Sequence, residues 1–130
     1  MTEHPDIAVF RKAYSAFTSG DMEALARVFS ADVVWHTPGR HPQSGDHVGR
    51  DAAFASFGQE FERSGGTYRP VIHDVLANDN HTVALLHVTA AREGKTLDMD
   101  YALILHIQDG KIVEGWETWT DQTELDEFWS

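Results

Sequence analysis

The sequence predicts an α+β domain in which helices cover one face of a curved, mostly antiparallel sheet. Three observations carry that expectation. Apolar residues recur at helical spacing in the first half of the chain. The second half is a series of strand-like runs separated by hairpin turns, Asp109-Gly110 being the strongest. Between them, Val33-Val34-Trp35 is a β-branched and aromatic run suited to a strand, and it has to insert into the sheet that the later strands build.

The elements follow in order. Pro5 to Ser19 reads as the first helix, with Ile7, Phe10, Tyr14 and Phe17 on one face and Pro5 suited to its first turn. Asp21 caps a second, short helix that aligns Met22, Leu25, Ala26 and Phe29. Ser30-Ala31-Asp32 stops that helix, and the strand through Trp35 ends in His36 and Thr37 before the Pro38-Gly39 break. His41 to Gly49 reads as a polar loop. Asp51 opens a third helix with Phe54, Phe57 and Phe61 at helical spacing, ended by Ser64-Gly65-Gly66. Strands then run over 67–77, 82–92, 97–108 and 111–120. Asp121 with Glu124 is spaced as a capping box for a terminal helix carrying Leu125, Phe128 and Trp129.

Length and composition narrow the function. At 130 residues the chain is a single domain, residues 1–130, long enough to close a core. A 42% hydrophobic share excludes a disordered chain. The formal charge of −11 opposes non-specific nucleic-acid binding, which needs a positive field. No apolar run is long enough to span a membrane, and no signal-peptide pattern is present, so the expectation is a cytoplasmic protein with no membrane or nucleic-acid partner. Zero cysteines exclude thiolate chemistry. No phosphate loop or dinucleotide fingerprint calls for a cofactor, and His36, His41, His47 and Asp46 match no metal-ligand spacing, so neither is expected.

Ala84 to Val88 and Tyr101 to Leu105 are apolar on both parities, whereas a sheet with one wet face alternates. Both faces are therefore expected to be covered, the outer, convex one by a second copy of the chain.

The pattern Gly20-Asp21-x-x-x-Leu25-x-x-x-Phe29-x-x-Asp32-Val33-x-Trp35-His36-x-Pro38-Gly39 resembles the SnoaL-like proteins, related to polyketide cyclases and ketosteroid isomerases, of the nuclear transport factor two-like superfamily. Val48 to Ala52, Asp109 to Glu114 and Trp116 to Asp121 are similar to the same group, in the same order along the chain. The resemblance implies a cone-shaped, cystatin-like fold with three N-terminal helices, a short C-terminal helix and a homodimer. It implies no single activity, because the fold hosts isomerases, cyclases, hydrolases, dehydratases and non-catalytic modules. The ketosteroid isomerase base, tyrosine and protonated aspartic acid would fall at Thr37, Ala13 and Leu103, so that triad is missing. The carboxylate that matches the acid/base aspartate of the cyclases is Asp121.

Three residues are candidates for proton transfer. His36 titrates near neutrality at a strand end. Asp121 competes with its own role as a helix cap. Glu117 counts only if strand parity turns Gly115, Glu117 and Trp119 inward rather than Trp116 and Thr118. The expected pocket is lined by Tyr14, Trp35, Phe54, Phe57, Tyr101, Trp116 and Trp119. It suits a small hydrophobic, carbonyl-bearing or polycyclic molecule and cofactor-independent isomerase, cyclase or dehydratase chemistry. A non-catalytic carrier or sensor, or a protein-interaction module, is the alternative on the same fold.

Overall fold

A computed structural model describes residues 3–130. Helices α1 (Pro5–Ser19), α2 (Met22–Val28) and α3 (Arg50–Arg63) pack on one face of a six-stranded sheet, and α4 (Gln122–Trp129) closes the chain. The strands are β1 (Phe29–Thr37), β2 (Gly45–Val48), β3 (Arg69–Ala77), β4 (Thr82–Arg92), β5 (Lys95–Gln108) and β6 (Lys111–Trp119), in the order β2-β1-β6-β5-β4-β3. Every pairing is antiparallel except β1 with β6, so the early strand does insert into the later meander and makes the sheet mixed.

Local chemistry explains most boundaries. Asp21 accepts a bond from the Ala24 N–H at 3.1 Å and starts α2. Asp109 and Gly110 both adopt positive φ, the geometry of a tight hairpin turn between β5 and β6. Two expected boundaries shift. Strand β1 begins at Phe29 rather than after Asp32, because Phe29 turns into extended backbone and buries its ring beneath the helices. The supposed loop from His41 to Gly49 contains β2, whose residues are polar or exposed and carry no apolar alternation, pairing Val34 with Val48 through Thr37 with Gly45.

Strand parity decides which residues meet the helices. Val33, Trp35 and Thr37 of β1 and Ile112 and Gly115 of β6 are buried on the inner face, with Glu117 continuing that parity. His36, Glu114 and Trp116 lie on the outer face. Gly115 is required at its position: a Cβ there would sit 2.4 Å from Cζ3 and 2.6 Å from Cε3 of the Trp35 ring. Among the described residues no helix is long and apolar enough to cross a membrane.

Candidate functional site: an aromatic cavity with two glutamates

Between the helices and the inner sheet face lies a small cavity of about 80 Å³. Phe10, Tyr14 and Phe17 of α1, Trp35 of β1, Phe57 of α3 and Tyr101 of β5 supply much of its wall. The aromatic residues pack edge to face: Trp35 and Phe57 centroids are 5.1 Å apart at 85°. Into this apolar chamber project two carboxyl groups, Glu60 and Glu117, and among the described residues no lysine, arginine or histidine lines it.

Glu117 is held by its neighbours. The indole N–H of Trp35 donates to Oε2 at 2.8 Å, the indole N–H of Trp119 donates to Oε1 at 2.9 Å, and the Thr37 hydroxyl donates to Oε2 at 3.2 Å. The Trp119 ring is itself fixed by stacking on Tyr101 at 4.2 Å. Burial raises the Glu117 pKa, and the three donors, with His47 beyond them, pull against that rise without cancelling it.

Glu60 differs. It stands on the sheet-facing stripe of α3 with Ala53, Ser56 and Phe57, and only 8% of it is exposed. Among the described residues no side chain donates to its carboxyl group. Burial, reinforced by the charge of Glu117, pushes its pKa well above that of an ordinary carboxyl. Burial does the same to the phenols of Tyr68 and Tyr101, with the nearby glutamates adding to it, so both hydroxyls stay protonated.

The structure separates the expected site residues. Glu117, Trp35, Phe57, Tyr101 and Tyr14 reach the cavity, although the Tyr14 hydroxyl is committed to the Pro70 carbonyl at 2.8 Å. Trp119 bonds Glu117 from beside it. Four others lie elsewhere. His36 is on the outer face, clamped between Asp46 and Glu114 at 2.7 Å each and stacked on Trp116, because it is one residue out of phase with Trp35. Trp116 is outside for the same reason, one residue from Glu117. Asp121 is exposed and caps α4, accepting from the Glu124 N–H at 3.0 Å. Phe54 packs behind the wall against Phe29 at 5.3 Å and does not reach the cavity.

Sequence reasoning missed Glu60 and Tyr68. Glu60 sits three residues past Phe57, on the stripe that the helical pattern turns inward, and that phase was its only signal. Ala13 and Leu103 do line the cavity, and Thr37 touches Glu117, so the positions that the isomerase resemblance singled out are at the site without its titratable groups.

Comparison with known proteins agrees with this fold. The SnoaL-like domain matches residues 10–115. The chain belongs to the SnoaL-like family. An uncharacterized protein of Mycobacterium tuberculosis, Rv0034, is 31% identical over the full length of both chains. Bal32a, from a soil-derived mobile gene cassette, shares 38% identity with a TM-score of 0.92 over 95% of each chain. A Xanthomonas campestris protein with a cystatin-like fold shares 34% identity and a TM-score of 0.89 over 95% of this chain and 97% of its own. For this SnoaL-like protein those similarities give family and fold.

Proposed function

We propose that the cavity binds a small hydrophobic, carbonyl-bearing molecule and that Glu117 moves a proton to and from the carbon beside the carbonyl, without a cofactor. The observation that carries this reading is the half-buried Glu117 carboxylate gripped by two indole N–H groups and the Thr37 hydroxyl. Three donors hold one carboxylate in a fixed orientation, and burial raises its basicity above that of an ordinary carboxylate. The protonated phenols of Tyr68 and Tyr101 supply neutral hydrogen-bond donors for a developing enolate oxygen. The apolar wall excludes water, which strengthens each of these interactions.

The test is deuterium incorporation from D2O beside the carbonyl of monocyclic and bicyclic ketones, followed by proton NMR. Wild-type protein is expected to accelerate exchange on at least one ketone, and Glu117→Gln to reduce that rate by roughly 10²–10⁴-fold. Binding of the same ketones with no exchange would leave a carrier instead.

The partner is a second copy of the chain. Val71, Leu76 and Leu85 are 51%, 51% and 37% exposed on the β3–β4 side of the sheet, away from the helices, beside the half-covered Ile104. Light scattering of the wild-type protein is expected to give twice the mass of one chain, and Leu85→Arg to shift it towards a single chain; a wild-type monomer contradicts the pairing.

A further inference from the structure

Glu60 has no counter-charge in the fold. It enters the cavity from α3, is more than nine-tenths buried, and receives no hydrogen bond from any described side chain. The cation one turn further along its helix is committed elsewhere: Arg63 donates to Oε1 of Gln43 at 2.9 Å and to the Trp129 carbonyl at 2.8 Å. Donors around the cavity are committed too. The indoles of Trp35 and Trp119 and the Thr37 hydroxyl serve Glu117, and the Tyr14 hydroxyl serves the Pro70 carbonyl. The titratable groups that face Glu60 are Glu117 on β6, Tyr101 on β5 and Tyr68 just before β3, with Tyr14 of α1 on the same wall. None of these is a cation. Much of the remaining wall is aromatic, with Phe57 packed edge to face against Phe17 at 5.9 Å and against Trp35 at 5.1 Å.

We propose that the cavity takes an organic cation, a small ammonium ion whose N–H groups seat on Glu60 and whose short apolar body lies against the aromatic wall. This goes beyond the proton-transfer reading of Glu117 and does not depend on it. The fold has already stripped the Glu60 carboxyl of water, so when a cation arrives only the ammonium has still to be dried. The π-systems of the wall attract the same positive charge and offset part of that cost. An ammonium is a donor-only group, and the Glu60 oxygens are the acceptors in the cavity that no described donor occupies. An anion would meet two carboxyl groups of its own sign. The formal charge of −11 also raises the concentration of small cations around the chain. Binding is an exchange of one cation for another. Burial keeps a proton on Glu60 in the free protein; the ammonium replaces it, the proton leaves to water, and the net charge of the cavity does not change.

The experiment is isothermal titration calorimetry of the full chain at neutral pH with three ligands of one shape: isobutylamine, neutral isobutanol and anionic isovalerate. Each titration is run in two buffers of different ionisation enthalpy, which counts the protons released. Wild-type protein is expected to bind isobutylamine about tenfold or more tighter than isobutanol and to show no binding of isovalerate. The amine is expected to release about one proton and the alcohol none. Glu60→Gln keeps the shape of the side chain without a charge to offer. It is expected to weaken the amine about tenfold or more, to abolish the proton release, and to leave isobutanol within about threefold, which shows the cavity intact. Should that variant not fold, the wild-type ranking and proton count decide alone. Isobutylamine no tighter than isobutanol, binding without proton release, or unchanged amine binding in Glu60→Gln each overturns the cation site. Ketone exchange measured on the same protein keeps the two readings apart. Exchange without a preference for the amine overturns the cation site and leaves Glu117 as the base. Preference for the amine without exchange overturns Glu117 as the base and leaves the cation site.

Discussion

The two faces of the sheet hold titratable groups in opposite ways. On the inner face Glu117 sits among indole and hydroxyl donors, with a second carboxyl nearby and, among the described residues, no lysine or arginine on the cavity wall. On the outer face, at the adjacent strand positions, His36 has a carboxylate on each ring nitrogen and the Trp116 ring against its plane, with centroids 5.1 Å apart. Burial lowers the His36 pKa, but the bonds to Glu114 and Asp46 and their charges outweigh it, so the net shift is upward and favours the charged form. Glu117 and Glu60 also shift upward, and for an acid that favours the neutral form. The outer face therefore pairs opposite charges, whereas the inner face meets its carboxyl groups with burial and neutral donors.

The largest effect that could break this contrast is on rate. Glu117→Gln keeps the shape of the side chain and one acceptor oxygen, yet is expected to cost two to four orders of magnitude in ketone exchange, about 3–5 kcal/mol of transition-state stabilisation. A loss under tenfold would place the base elsewhere.

Packing of the base's own support comes next. Gly115→Ala puts a methyl group 2.4 Å from Cζ3 and 2.6 Å from Cε3 of Trp35 and 3.0 Å from Cδ2 of Leu105. The indole must move, and with it the donor to Glu117. The expected loss is about 1–3 kcal/mol in stability, read by urea unfolding, with a further fall in exchange rate as the Trp35 bond is lost. Full stability with full activity would mean that the ring is free to shift.

The smallest effect is that of His36→Ala. A histidine whose folded pKa is raised contributes stability that is complete below its unfolded value of about 6.5 and is lost as pH rises through the folded value. The stability deficit of His36→Ala is therefore expected to be greatest at acid pH and to shrink as pH rises, measured by thermal unfolding across that range. The two inner glutamates act with the same sign for a different reason: each is more stable folded when neutral, so their contribution also fades as pH rises. Their variants are distinguished from His36→Ala by rate, which His36→Ala is expected to leave within tenfold.

Much of the fold was legible in the sequence because it is written in short-range chemistry. The caps at Asp21 and Asp121, the Asp109-Gly110 turn and the helical stripes each involve residues within one or two turns of each other. The site was less legible because it depends on phase. Moving one residue along β1 or β6 exchanges Trp35 for His36 and Glu117 for Trp116, and nothing in a strand containing apolar residues on both parities fixes which face is the inner one. The parallel pairing that sets Trp35 opposite Gly115 decides it, and that pairing joins residues some eighty positions apart. Glu60 was hidden by its type, since a glutamate on a helix is ordinarily read as solvated surface. Val48 and its neighbours were hidden by their polarity, an edge strand that looks like a loop.

The most direct measurement is the ratio of two rate losses on one exchanging ketone, Glu117→Gln against His36→Ala, each divided by wild type under the same conditions. The account predicts a loss of at least about 10²-fold for the glutamate and less than tenfold for the histidine. The reverse order would put the proton-transfer group on the outer face of the sheet and contradict the account.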